Sequence, residues 1–283
     1  MNKSVIYSFF ALICCIALSL TSQAQIATPA ASPAATLTQK VGLTDVTVSY
    51  SRPSMRGRKV FGGIRPYGEL WRTGANGATT FTFSDEVTIE GKKVPAGTYS
   101  VFSLPGQTEW KVMLNKNAKA STNDYKKEED VATFTVKPQK TASAYETLTI
   151  DLSDLTSNTA MINIKWENTK IALKLEAEVD SKVMAQIKET LAAKPDDAVA
   201  NYQAAVYYME NGKDLKQALE MMNKGTAKDP QFWQMHQKAK LQAMLKDKKG
   251  AMESANKSIE LAKKANNNDY VRLNEELLAE LKK

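Results

Sequence analysis

Near residue 180 the spacing of apolar residues changes, and that change limits the folds open to this chain. From 43 to 178 the period is two. Val46, Val48 and Tyr50 alternate with Thr47 and Ser49, and Phe81 and Phe83 alternate with threonines. The same pattern returns in Trp110/Val112/Leu114, Ala132/Phe134/Val136, Leu148/Ile150/Leu152, Ile162/Ile164/Trp166 and Ile171/Leu173/Leu175. Residues two apart lie on one face of a strand, so each run buries one face. Glu90-Gly91-Lys92, Pro95-Ala96-Gly97 and Pro105-Gly106 supply turns between them. Roughly eight or nine short strands with such punctuation predict an antiparallel β-sandwich or barrel-like domain over 36–178.

After residue 180 the spacing becomes helical. Val183, Ile187 and Leu191 lie four apart, and Lys194-Pro195 stops that helix. Asp196 or Asp197 caps the next one, which ends at Asn211-Gly212, and Asp214 opens a third. Asp214 and Ala218 are echoed by Asp247 and Ala251, 33 residues later. Helix pairs at this period resemble tetratricopeptide repeats. Tyr202, Ala205, Val206, Met209, Ala218, Met222, Gly225 and Pro230 fall on that repeat's packing positions. In the second pair Ala239, Ala251 and Ala255 fit, while Lys238 and Gln242 do not. An α-helical repeat domain is therefore expected over 180–283, with a peptide-binding face as one use for it. Met209, Met221, Met222, Met235, Met244, Met252 and Trp233 read mainly as its core.

Met1–Ala24 reads as a secretory signal: Lys3, an apolar run from Val5 to Leu20, and the small-x-small site Ser22-Gln23-Ala24. The expected location is periplasmic or extracellular. Residues 25–35, rich in Ala, Pro, Ser and Thr, read as a linker. Cys14 and Cys15 both lie in the signal, so the mature chain has no thiol for catalysis or zinc.

Residues 52–77 interrupt the strand pattern. Five of the six arginines lie here, while the remaining basic residues are lysines. Formal net charge is +7, and this stretch carries five Arg, one Lys and one Glu, so the basicity is local. A nucleic-acid protein would spread a basic face along an element, so that class is disfavoured. Guanidinium holds carboxylate or phosphate in a two-pronged fork and stacks on rings; ammonium does neither. Arg52, Arg58 and Arg72 are the candidate grips for an acid group. Tyr67 and Trp71 are candidate stacking faces, and Asn76 would orient polar groups. The competing reading has the arginines brace the loop against Glu69, Asp45 and Asp85, with the rings filling a core beneath.

Other chemistry is weaker. His236 is the only histidine and lies in the helical region, far in sequence from the loop. Glu69, Asp85 and Glu86 could supply a hydrolase's carboxylate pair, which needs a separation of about 5–10 Å. Asp151 and Asp154 lack the turn glycine of a calcium loop. No cofactor or metal is expected.

Val48-Ser49-Tyr50-Ser51-Arg52-Pro53, Gly57-Arg58, Phe61-Gly62, Pro66-Tyr67-Gly68 and Trp71-Arg72-Thr73-Gly74-Ala75-Asn76 carry a resemblance, as do Ala96-Gly97-Thr98-Tyr99 and Glu109-Trp110. Over about 36–178 the chain resembles a secreted bacterial family known only as domain of unknown function 2911. The resemblance implies export and a β-rich fold, and no reaction. The family usually has Glu after this Asn, where the chain has Gly77. The expected function is a non-enzymatic exported binding module, with the loop taking an anionic or carbohydrate ligand and the helices a protein partner. An envelope hydrolase and a structural scaffold with an internally braced loop are the alternatives.

Overall fold

The computed structural model describes residues 28–283. The secretory signal and the start of the 25–35 linker lie outside the described residues. The chain forms two compact units, the first ending at Ala177 and the second spanning Glu178–Lys283.

Among its described residues the first unit holds ten strands: β1 (Ala34–Val41), β2 (Thr44–Ser51), β3 (Thr79–Phe83), β4 (Val87–Ile89), β5 (Lys92–Val94), β6 (Gly97–Leu104), β7 (Trp110–Asn115), β8 (Asp130–Val136), β9 (Gln139–Ser153) and β10 (Thr159–Ala177). They form two antiparallel sheets, ordered β1-β2-β3-β6-β7-β8 and β5-β4-β10-β9. The alternation read in the sequence is the burial pattern. Val46, Val48 and Tyr50 of β2 point inward, as do Phe81 and Phe83 of β3 and Leu148 and Ile150 of β9. A slip of one residue would turn each such set to solvent, so the pattern fixes the register. The inner faces meet across the core. Tyr50 of β2 donates its hydroxyl to the Ile150 carbonyl at 3.3 Å and accepts from the Ile150 N–H at 3.0 Å.

Two boundaries differ from expectation. Ile162–Trp166 and Ile171–Leu175 belong to one 19-residue strand, β10. Between them the polar Glu167-Asn168-Thr169-Lys170 mimics a turn in the sequence. In the structure the pairing with β9 shifts on both sides of Glu167, whose φ is 54°. Bulges of this kind bend a strand without ending it. At the start, Ala34 and Ala35 belong to β1 rather than to the linker. β1 is an edge strand exposed along most of its length, so it carries little apolar alternation to betray it.

The second unit is six packed helices: α1 (Asp180–Ala193), α2 (Ala198–Glu210), α3 (Leu215–Gly225), α4 (Phe232–Met244), α5 (Lys248–Lys264) and α6 (Asn268–Lys282). The caps fall where the aspartates predict. The Asp197 carboxylate accepts from Ala200 N–H, Asp214 from Lys216 and Gln217, and Asp247 from Gly250. Ala205, Ala218, Met222 and Leu241 are fully buried together, with Met209 and Met221 beside them. Met235 is also buried, whereas Met244 and Trp233 are exposed. Gly225 sits where α3 meets α2: a Cβ there would lie 2.7 Å from the Tyr202 amide nitrogen. The misfit Gln242 is used as an acceptor, taking a 2.6 Å bond from Ser254. His236 Nδ1 lies 2.9 Å from Asn274 Oδ1; Asn274 donates to Ser258, and Ser258 to the Phe232 carbonyl. The histidine thus belongs to a polar relay joining α4, α5 and α6. Among the described residues, no helix is long and apolar enough to cross a membrane.

Two substitutions rank these contacts. Asp214→Ala removes a cap and should destabilise the helical unit by about 1 kcal/mol. Gly225→Val forces backbone apart and should exceed that, at about 1–3 kcal/mol or more. Urea unfolding followed by helical circular dichroism measures both.

Candidate functional site

Residues 52–77 join β2 to β3 as an ordered loop pinned in three places. The first leg lies beside β9. The Leu148 N–H donates to Pro53 O, the Met55 N–H to Glu146 O, and Ser54 bridges Thr147. Arg52 lies along the same strand, with Nε donating to Leu148 O at 3.1 Å and Nη2 to Thr149 Oγ1 at 3.0 Å.

The second anchor is a tight turn. Arg65 and Gly63 donate their N–H groups to Val60 O, and Ile64 donates to Lys59 O. Glycine is required here. A Cβ on Gly62, whose φ is 73°, would lie 2.7 Å from the Tyr67 ring, and one on Gly63 would strike the Lys59 carbonyl. Tyr67 therefore lies over bare backbone and remains 40% exposed. Phe61 turns inward, 4.9 Å centroid to centroid from Trp110 of β7.

The third anchor is Trp71. Its indole is 2% exposed and stacks on Trp166 of β10 at 5.8 Å, while Phe61 and Trp110 meet it edge-on. Its backbone exchanges two 2.8 Å hydrogen bonds with Ser103 of β6. Two residues later Thr73 is fully buried with φ 53°. A β-branched residue there is a true outlier, costing about 1–3 kcal/mol, and persists only where the surroundings hold it. Here the Thr79 hydroxyl donates to Thr73 O at 2.8 Å, the Thr73 and Ser103 hydroxyls lie 3.0 Å apart, and Trp71 Nε1 donates to Gly74 O at 2.9 Å. Between buried Trp71 and buried Thr73, Arg72 is partly exposed.

The charges of the loop are not neutralised from within. Among the described residues, none of its five arginines has a carboxylate at ion-pair distance. Asp45 pairs with Lys40 instead, Asp85 accepts from Thr44 and Ser84, and Glu69 is exposed. Arg58 folds back onto carbonyls, donating Nε to Met55 O and Nη2 to Ser54 O. Arg65 lies 5.6 Å from the Trp71 ring centroid, and its buried Nε has no hydrogen-bond partner. Burial, then the guanidinium groups of Arg72 and Arg58, lower the Arg65 pKa from its ordinary value. Arg58 and Arg72 therefore lie close enough to Arg65 for their charges to act on it, and the three make a cationic cluster centred on Arg65.

The six residues singled out from the sequence thus divide. Arg58 and Arg72 join the cluster. Arg52 lies on β9, the Trp71 ring is in the core, and Tyr67 is exposed at the tight turn. Asn76 reaches back to Ser32 O and Ser51 Oγ, both at 3.3 Å. Arg65 was missed, although it sits amid the glycines and rings that mark the loop. A Cβ on Gly77 meets open space, so nothing steric demands glycine where the family usually has Glu. Elsewhere, Asp151 is paired with Lys165 at 2.7 Å. Among the described residues, no three or more His, Cys, Asp or Glu side chains gather as a metal site would need.

Trp71→Ala should cost about 3–5 kcal/mol, whereas Arg72→Gln should change stability by less than about 1 kcal/mol. Chemical denaturation followed by tryptophan fluorescence distinguishes the two.

Neither the curated proteins nor the solved structures contain a match to this chain. A family model described as protein of unknown function, DUF2911, matches residues 32–175, which covers the whole loop and both sheets but for the last two residues of β10. The chain therefore belongs to the DUF2911 family.

Proposed function

We propose that this protein is an exported, non-enzymatic binding module whose 52–77 loop holds an anionic ligand, with an acidic sugar as the favoured class. One observation carries the reading: Arg58, Arg65 and Arg72 gather without a carboxylate partner, the last of them beside the strained backbone of Thr73. Like charges brought together and partly desolvated raise the energy of the empty site. An incoming carboxylate or phosphate relieves that repulsion, and the guanidinium forks suit its flat geometry. Tyr67 supports the sugar part of the reading, because its exposed ring offers the loop's aromatic face. Export to the periplasm or beyond rests on the Met1–Ala24 signal.

The helical unit is proposed to be tetratricopeptide-like and to dock a protein partner. Caps at Asp214 and Asp247, 33 residues apart, support this, as do buried Ala218, Ala251 and Ala255 and the close approach at Gly225. The braced-loop reading keeps one observation in its favour: Arg52, Arg56 and Arg58 all hydrogen-bond to carbonyls. It accounts for those three residues and leaves Arg65 and Arg72 unexplained.

Thermal-shift measurements against glucuronate, glucose and inorganic phosphate test the proposal. Glucuronate should raise the melting temperature and glucose should not. Arg72→Lys should leave the ligand-free melting temperature nearly unchanged and weaken glucuronate binding about tenfold, the loss of one charged hydrogen bond. A large fall in ligand-free melting temperature for Arg72→Lys would instead mark it as a brace.

A further inference from the structure

A cavity of the first unit lies on the outer face of the six-stranded sheet. That face is polar on most sandwiches, because inward and outward residues alternate. Here it is apolar in part. Phe102 of β6 and Met113 of β7 point outward yet are buried, covered by Ala120 and Tyr125 of the β7–β8 connection. Beside this satellite core opens a cleft of about 630 Å³. Such a volume falls within the range of about 300–1,000 Å³ typical of small-molecule sites.

Its walls are of two kinds. Leu70, Leu104, Met113 and the ring of Tyr125 supply apolar surface. Lys92, Lys111 and Lys127 supply three ammonium groups from three different elements. Lys92 donates to Thr133 O at 2.7 Å. Lys111 and Lys127 have no hydrogen-bond or ion-pair partner among the described residues. The only carboxylate in the lining, Asp130, is already engaged: it accepts from the Tyr125 hydroxyl at 2.6 Å and from Asn115 Nδ2 at 3.0 Å. That engagement fixes the Tyr125 wall; the carboxylate keeps its charge and offsets one of the three lysines, so the lining stays net cationic.

We infer that this cleft is a binding site for a small amphiphile, an apolar chain ending in a carboxylate or phosphate. The apolar wall takes the chain and the lysines take the head group. Lysine suits such a head, because its compact charge on a flexible stem follows anions of differing shape. The stems themselves add apolar surface to the wall. The cleft shares Leu70 with the 52–77 loop, but no arginine lines it, and its role does not depend on the function proposed for the loop.

Calorimetric titration of the purified protein tests the inference with four probes: decanoate, decyl phosphate, decanol and inorganic phosphate. Decanoate or decyl phosphate should bind at least about tenfold more tightly than decanol, the worth of one charged hydrogen bond. Whichever of the two binds better identifies the head group. Inorganic phosphate should not compete with the bound amphiphile. Thr135→Trp, at an exposed position lining the cleft, should fill it and abolish binding without lowering the melting temperature. Lys111→Met should weaken decanoate and spare decanol, and Arg72→Lys should leave both unchanged. Equal binding of decanol and decanoate would overturn the inference. So would undiminished binding in Thr135→Trp, or loss of decanoate binding in Arg72→Lys.

Discussion

Four rings, Phe61, Trp71, Trp110 and Trp166, hold the first unit together at the point where sheet and loop meet. Trp110 comes from one sheet, Trp166 from the other, and the remaining two from the segment between β2 and β3. Aromatic side chains bury the most apolar surface per residue, and edge-on and offset pairs add about 0.5–1.5 kcal/mol each. A glycine-rich segment of 26 residues has a large conformational entropy to overcome. Two large rings driven into a shared core supply the offsetting term. The same cluster also creates the electrostatic problem above it. By filling the space below Arg65, it removes water from one side of a guanidinium and leaves Nε without an acceptor.

Much of the architecture was legible because periodic segments carry a geometric rule. Alternation in β2, β3 and β9 told which residues face inward, and the capping aspartates at 197, 214 and 247 told where helices begin. Where the rule lapses, so does the reading. The bulge at Glu167 is a local backbone event, and its polar neighbours look the same in a bulge as in a turn. Within 52–77 there is no period, so composition marked the segment as special without telling which ring points in. Trp71 and Tyr67 were equal candidates for stacking, yet one indole is buried and the other ring is exposed. Arg65 escaped notice for the same reason: its environment comes from Trp71 and Arg72, whose directions only the fold supplies.

The first unit thus presents two cationic features built by opposite means. At the loop, planar charges lie over an aromatic floor and beside the strained backbone of Thr73, the arrangement on which the proposed acid ligand rests. On the outer sheet face, long flexible stems from β5, β7 and the turn before β8 surround an apolar wall. The Trp71-Arg72-Thr73-Gly74-Ala75-Asn76 run is the structural hinge of the first feature. Buried Trp71 and Thr73 flank the partly exposed Arg72, and Gly74 fits where a Cβ would come 2.9 Å from the Thr79 hydroxyl.

The path of residues 50–55 along β9 has a consequence for association. β9 ends the four-stranded sheet, and an unpaired margin of that length is a template on which another chain can add a strand. Tyr50 takes both backbone groups of Ile150, Arg52 takes the carbonyl of Leu148, Pro53 takes its N–H, and Met55 takes the carbonyl of Glu146. Residues 50–55 therefore act as a selvedge over 146–150 of β9, where an added strand would otherwise find free backbone groups.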